Sequence, residues 1–219
     1  MTHGRRLIVF DLDGTLVDSR RDLASSMNAL LAEYGAPQLP EHAIGRMVGD
    51  GAPTLVSRAF AATAVPQPDD ALERFLAIYN EHLLDHTRPY PGIPDVLREL
   101  GARAAIAVLT NKPLASTRRV LAGLDLARHF THDGVIGGDG PFARKPDPAG
   151  LQHLMEQAGA APPATTLVGD SAIDWRTGRN ASVGVCLVRY GFGFEGVQVD
   201  RLSDGEMVID TPQDLLKVL

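Results

Sequence analysis

Cysteine is almost absent. Cys186 stands alone among 219 residues, so no intramolecular disulfide can staple the chain, and the fold must rest on its core. Cys186 sits in the apolar run 183–188 and reads as a small buried hydrophobe rather than a reactive thiol. Long hydrophobic runs are missing as well. None approaches the roughly 18 residues of a spanning helix, and acids at positions 11 and 13 cut the first apolar run too soon for a signal peptide. Positive charge is in deficit: the formal net charge is −6, which argues against a nucleic-acid partner. These absences lead to the expectation of a cytoplasmic protein without membrane or nucleic-acid partners. The chain also has no repeat or low-complexity segment, and its length allows one large domain or two small ones.

What is present is a set of short apolar runs at 7–10, 104–109, 165–168 and 183–188, with weaker ones at 134–137 and 207–209. Each ends in small or polar residues, and helix-like segments lie between them. Strands buried on both faces read this way. The pattern predicts an α/β fold: a doubly wound, Rossmann-like parallel sheet with a closing helix over 213–219. Between the first two runs, helical spacing predicts helices over 20–34 (Leu23, Met27, Leu30, Leu31, with Gly35 as a stop), 52–64 and 70–85. Asp69 is placed to cap the last of these. Residues 16–89 therefore form a helical cap domain inserted after the first strand, and residues 1–15 and 90–219 form the core. Ligands of such sheets bind at the carboxyl ends of the strands, so the insertion would lie over the site.

Four clusters fall at those ends or in a loop before a helix. Asp11 and Asp13 in DLDGTLVDS follow the first strand, and a spacing of two puts both carboxylates on one face of an extended chain. One suits a nucleophile and the other a proton carrier; the plainer alternative is a strand-to-turn junction with solvated acids. Thr110 and Asn111 end the second strand and offer donors for an anion, or caps for the next helix. Lys145, between Arg144 and Pro146, can offset the charge of a phosphate or be an ordinary surface lysine. Asp170 and Asp174 follow the third strand. They fit a metal site, or else an N-cap and a first-turn acid. Mg²⁺ is the cofactor this donor set suits, through Asp11, the main-chain carbonyl of Asp13 and Asp170. His82 and His86 lack a third ligand for a transition metal, and Trp175 and Phe192 read as packing residues.

The order of these strings along the chain resembles the haloacid dehalogenase-like phosphohydrolase superfamily over nearly its whole length. The resemblance implies Asp11 as nucleophile, Asp13 as general acid/base, Thr110 and Asn111 as holders of the phosphoryl group and Lys145 as its electrostatic partner. It also implies Asp170 and Asp174 as completing the Mg²⁺ site begun by Asp11 and Asp13. The dehalogenase branch lacks the second acid, so Asp13 favours phosphatase chemistry. The cap string at 44–51, with Arg46, Gly49 and Gly51, looks like that of the phosphoglycolate phosphatase branch. That likeness implies 2-phosphoglycolate as substrate, Arg46 pairing its carboxylate and Gly49 approaching it. The absence of lysine between residues 16 and 89 counts against the phosphonoacetaldehyde hydrolase branch. Phosphatases of sugar phosphates, pyridoxal phosphate or pyrophosphate share the layout. A phosphomutase is a further alternative, and a non-catalytic phosphometabolite-binding regulator is one of a different class. The expected partner is a small phosphorylated metabolite, met by a monomer or homodimer.

Overall fold

The computed structural model describes residues 6–203 and 205–219; residues 1–5 of the expected core segment lie outside the described residues. Six strands, β1 (Leu7–Phe10), β4 (Ala105–Leu109), β5 (Val135–Ile136), β6 (Thr165–Gly169), β7 (Gly184–Val188) and β8 (Glu206–Ile209), form one sheet in the order β5-β4-β1-β6-β7-β8. All neighbours are parallel. This is the α/β doubly wound sheet that the alternating runs predict. The chain leaves β1 first toward β4 and later toward β6, so the switch point lies at the carboxyl end of β1.

The continuous apolar character of β1 has a direct cause. Leu7 and Val9 join a buried cluster with Leu151, Leu154 and Met155 of α7 (Ala149–Ala158). Ile8 and Phe10 face the other way, in a cluster with Val96, Leu97 and Leu100 of α5 (Ile93–Gly101). Side chains alternate across a strand, so a strand covered on both faces needs apolar residues at every position. Burying each is worth about 1.5–3 kcal/mol. The last element, α9 (Leu215–Val218), is preceded by a 3₁₀ turn at Pro212–Asp214 and buries Leu215 against the α5 side.

Between the first strands come α1 (Arg20–Glu33), α2 (Glu41–Gly45), α3 (Ala52–Thr63) and α4 (Ala71–Glu81). The short α2 has no counterpart in the sequence reading. The helix expected over 70–85 stops at Glu81, and Asp69 does not cap it. Asp70 is the residue at that end, and its carboxylate instead accepts from the Tyr34 hydroxyl at 2.7 Å. Gly35 ends α1 in the left-handed region, as its position suggests. The two crossings between sheet and helices pair with each other: β2 (Val17–Asp18) runs antiparallel to β3 (Arg88–Pro89). Just beyond them Asp22, 1% exposed, accepts from the backbone N–H groups of His86 and Thr87, from the Thr87 hydroxyl and from the His86 ring. Leu23, Met27, Leu55, Phe60 and Phe75 from these helices share one buried cluster with Ile8 and Phe10. No helix among the described residues is long and apolar enough to cross a membrane. α6 (Leu114–Gly123) and α8 (Ala172–Asn180) complete the framework and follow β4 and β6.

Candidate active site

The expected clusters converge above the carboxyl ends of β1, β4 and β6. The two acids of the first cluster do not share an extended strand. β1 ends at Phe10, the chain bends at Leu12, and Leu12 drops into the core with 0% exposure. Asp11 and Asp13 therefore acquire different partners. Asp11 pairs with Lys145 at 2.9 Å, while Asp13 accepts from the Ser19 hydroxyl at 2.6 Å and pairs with Lys112 at 3.2 Å. Ser19 stands at the N-cap of α1 but makes no side-chain cap bond; its hydroxyl goes to Asp13 instead. Gly14 turns the chain at φ +87, and any β carbon there would strike the Asp170 carboxylate.

Lys145 is 5% exposed and binds Asp174 at 2.6 Å as well as Asp11. Asp170 does not open the following helix, as the N-cap alternative supposed. Ser171 caps α8, and Asp174 returns the capping box by accepting from the Ser171 N–H and hydroxyl. Asp174 is thus oriented by its own helix, and Asp170 is left free to face the cleft. Asn111 differs from its expected role. Its amide donates to Gly49 O at 2.8 Å and Lys145 O at 3.0 Å, and its carbonyl accepts from Lys145 N at 2.9 Å. Both side-chain amide hydrogens are spent clamping two loops, so what Asn111 can offer an anion in the cavity it lines is its main-chain N–H. Neither it nor Thr110 caps α6, whose N-cap is Pro113. Thr110 lines the cavity, and its hydroxyl accepts from Lys112 N at 3.3 Å.

Burial pushes Asp11 up to about 6, against the pull of Lys145. Burial raises Asp170 as well, reinforced by Asp174 and Asp11. For Lys145 burial acts downward, but Asp11 and Asp174 outweigh it and the ammonium is held above its usual range. Asp11, Asp170 and Asp174 each bring an oxygen within 4.8 Å of the others, and among the described residues Lys145 is the one cation paired with Asp11 and Asp174. Asp170, 3% exposed, accepts a bond from Gly193 N at 2.8 Å. Three buried carboxylates against one ammonium leave excess negative charge, and hard oxygen donors fit a divalent cation.

Lys112 escaped the sequence reading. It is 6% exposed and bonds both Asp13 oxygens at 3.2 Å and the Tyr79 hydroxyl at 2.5 Å. Asp13 and Tyr79 outweigh burial and lift it to about 12, so it is charged at neutral pH. A compositional signal for it exists. Only three of the chain's 21 basic residues are lysines, at 112, 145 and 217, and two of these are buried beside aspartates.

A cavity of ≈ 50 Å³ lies over the cluster, with Asp11, Asp13, Thr110 and Asp170 at its floor. Leu23, Leu55, Phe75, Leu76 and Tyr79 close it from the helical segment, with Gly49 and Gly51 at the side. Arg46 does not line it. The arginine ends α2 with its side chain 52% exposed and turns outward toward Glu195, 3.9 Å away. A short helix followed by the turn at Met47 and Val48 carries it past the cleft.

This fold and donor set define a class, and the sequence comparison agrees. The profile of the haloacid dehalogenase-like hydrolases matches residues 8–188, and the chain belongs to that family of enzymes. Among curated relatives, the phosphoglycolate phosphatase of Rhodospirillum rubrum is 42% identical over 88% of this chain and 83% of its own length. That of Haemophilus influenzae is 36% identical, with 98% of each covered. A crystal structure described as a predicted phosphoglycolate phosphatase from Haemophilus somnus superposes with a TM-score of 0.89 at 30% identity, covering 100% of this chain and 99% of that one.

Proposed function

We propose that the protein is a Mg²⁺-dependent phosphatase that hydrolyses a small phosphate monoester, 2-phosphoglycolate, through an aspartyl phosphate on Asp11. The observation that carries this reading is the pair of differently partnered acids on one loop. Asp11 sits among Lys145, Asp170 and Asp174, and Asp13 stands apart from them under the cavity. In the first step an Asp11 oxygen bonds to phosphorus as the ester P–O bond breaks, and Asp13 gives its proton to the leaving oxygen. In the second, Asp13 takes a proton from water, the water oxygen bonds to phosphorus, and the bond to Asp11 breaks. General acid–base help of this kind is worth about 10²–10⁴ in rate.

Asp11, Asp170 and the Asp13 carbonyl would hold the Mg²⁺, with Asp174 supporting them. When bound, the cation supplies charge stabilisation at the phosphoryl oxygens. Lys145 keeps Asp11 ionised and adds a fixed positive charge, and the Thr110 hydroxyl faces the same space. Residues 16–89 act as the cap, and their apolar side chains exclude water from the cavity. The relatives' names point to 2-phosphoglycolate as the substrate. A phosphate-release panel with Mg²⁺, covering 2-phosphoglycolate, sugar phosphates, pyridoxal phosphate and pyrophosphate, tests the reading. The highest kcat/KM is expected for 2-phosphoglycolate, with loss in EDTA and in Asp11→Asn. Turnover persisting in Asp11→Asn refutes the nucleophile.

A further inference from the structure

A phosphatase that reads a carboxylate needs a cation near the leaving oxygen, and Arg46 faces away from it. Among the described residues that line the cavity, Lys112 alone carries a positive charge. Its ammonium lies against both oxygens of Asp13, and its third partner is the Tyr79 hydroxyl of α4. The Tyr79 ring also lies beneath it, 4.4 Å from ammonium to centroid. The rest of the roof is hydrocarbon, from Leu23, Leu55, Phe75 and Leu76.

The leaving oxygen must meet Asp13, so whatever is attached to that oxygen passes beside Lys112. In a phosphorylated 2-hydroxy acid the carboxylate is separated from the ester oxygen by one carbon. Its oxygens would fall where the Tyr79 hydroxyl can donate to them and where the Lys112 ammonium can exchange one of its two 3.2 Å contacts with Asp13 for the carboxylate. We infer that Lys112, with the Tyr79 hydroxyl beside it, binds the leaving-group carboxylate and sets selectivity for short 2-phosphorylated hydroxy acids. This rests on the phosphatase reading above and names the residue that would give that site its substrate class. The core contributes the charge, and the cap contributes a neutral hydroxyl that completes the pocket when closed.

The test compares kcat/KM for 2-phosphoglycolate with that for ethyl phosphate, which has the same two-carbon length but no carboxylate. In Lys112→Met the ratio of the two is expected to fall about 10- to 100-fold, the scale of one charge-assisted hydrogen bond. In Tyr79→Phe it is expected to fall about 3- to 10-fold, the scale of a neutral one. The ratio measures selectivity whatever the absolute loss through Asp13. If Lys112→Met fails to fold, Tyr79→Phe decides, because it keeps the buried ion pair. A ratio unchanged in the folded variants overturns the inference, as does a ratio that collapses in Arg46→Met instead. A wild-type enzyme with no preference for 2-phosphoglycolate overturns the substrate reading and this inference together. A wild type that has the preference, with variants that keep it, overturns the inference alone.

Discussion

Lys145 and Lys112 are both buried, and both are bonded to an aspartate of the same loop, yet their surroundings differ. Every partner of Lys145 comes from the sheet side: Asp11 after β1, Asp174 on α8, and Asn111 after β4 holding its backbone. The Lys112 ammonium has one partner on the sheet side, Asp13, and one, Tyr79, on α4. On the proposed reading, the half of the site that would face the phosphoryl group is complete within the sheet side, and the half that would face the leaving group also needs Tyr79 of α4. A closing helical segment would then complete substrate reading without disturbing the nucleophile.

The largest expected effect breaks the core half. Lys145→Met leaves Asp11 and Asp174 buried without their cation, a loss of about 3–5 kcal/mol in stability. Phosphate release should drop about 10²- to 10³-fold, as when a preorganised charge partner is removed. Chemical denaturation and steady-state kinetics check the two parts separately. Asn111→Ala cuts the tie between the halves, since Asn111 alone holds both Gly49 O and the Lys145 backbone. It should lower kcat about 10- to 100-fold through misplacement of Lys145 and cost about 1–3 kcal/mol for the buried groups it leaves unpaired. Equal activity in this variant would mean that the halves work independently.

The smallest effect on activity falls where the chain crosses between sheet and helices, at Asp22. For Asp22, burial acts upward, but the bonds from His86 and Thr87 prevail and hold the carboxyl below its usual range. A depressed folded pKa gives stability that is present above the unfolded value near 3.9 and is lost as pH falls through the folded one. The wild type should therefore lose the stability that Asp22 supplies below about pH 4. Asp22→Asn should flatten that acid dependence and cost about 2–3 kcal/mol at neutral pH. Urea unfolding at pH 7 and pH 3.5 reads both effects, and an Asn variant as acid-sensitive as the wild type would show that Asp22 does not carry the transition.

Much of this architecture was legible in the chain. Runs at 7–10, 104–109 and 165–168 had to be strands buried on both faces, and the acids after them had to lie on one edge of the sheet. The bend at Leu12 was not legible, because two residues of alternation look the same in a strand and in a strand end. Arg46 lies off the cavity here, and a motif in a cap indicates proximity to the cleft but not which side of a five-residue helix faces it. Lys112 was passed over because TNKP reads as a turn before a helix, and nothing local marks its side chain as buried. Asn111 shows the same limit: donors at a strand end serve an anion or a neighbouring loop equally well.

The amino-acid order by itself settled the layering, the parallel sheet and the edge on which the acids gather, because side-chain period and burial are local properties summed along each strand. Tertiary structure alone decided which acid meets which lysine and that Tyr79 closes over Lys112. It also decided that Asn111 serves as a clamp and that Arg46 faces solvent. Those pairings join residues up to 134 positions apart, as Asp11 and Lys145 are, and their energy depends on distance and desolvation that no stretch of sequence carries on its own.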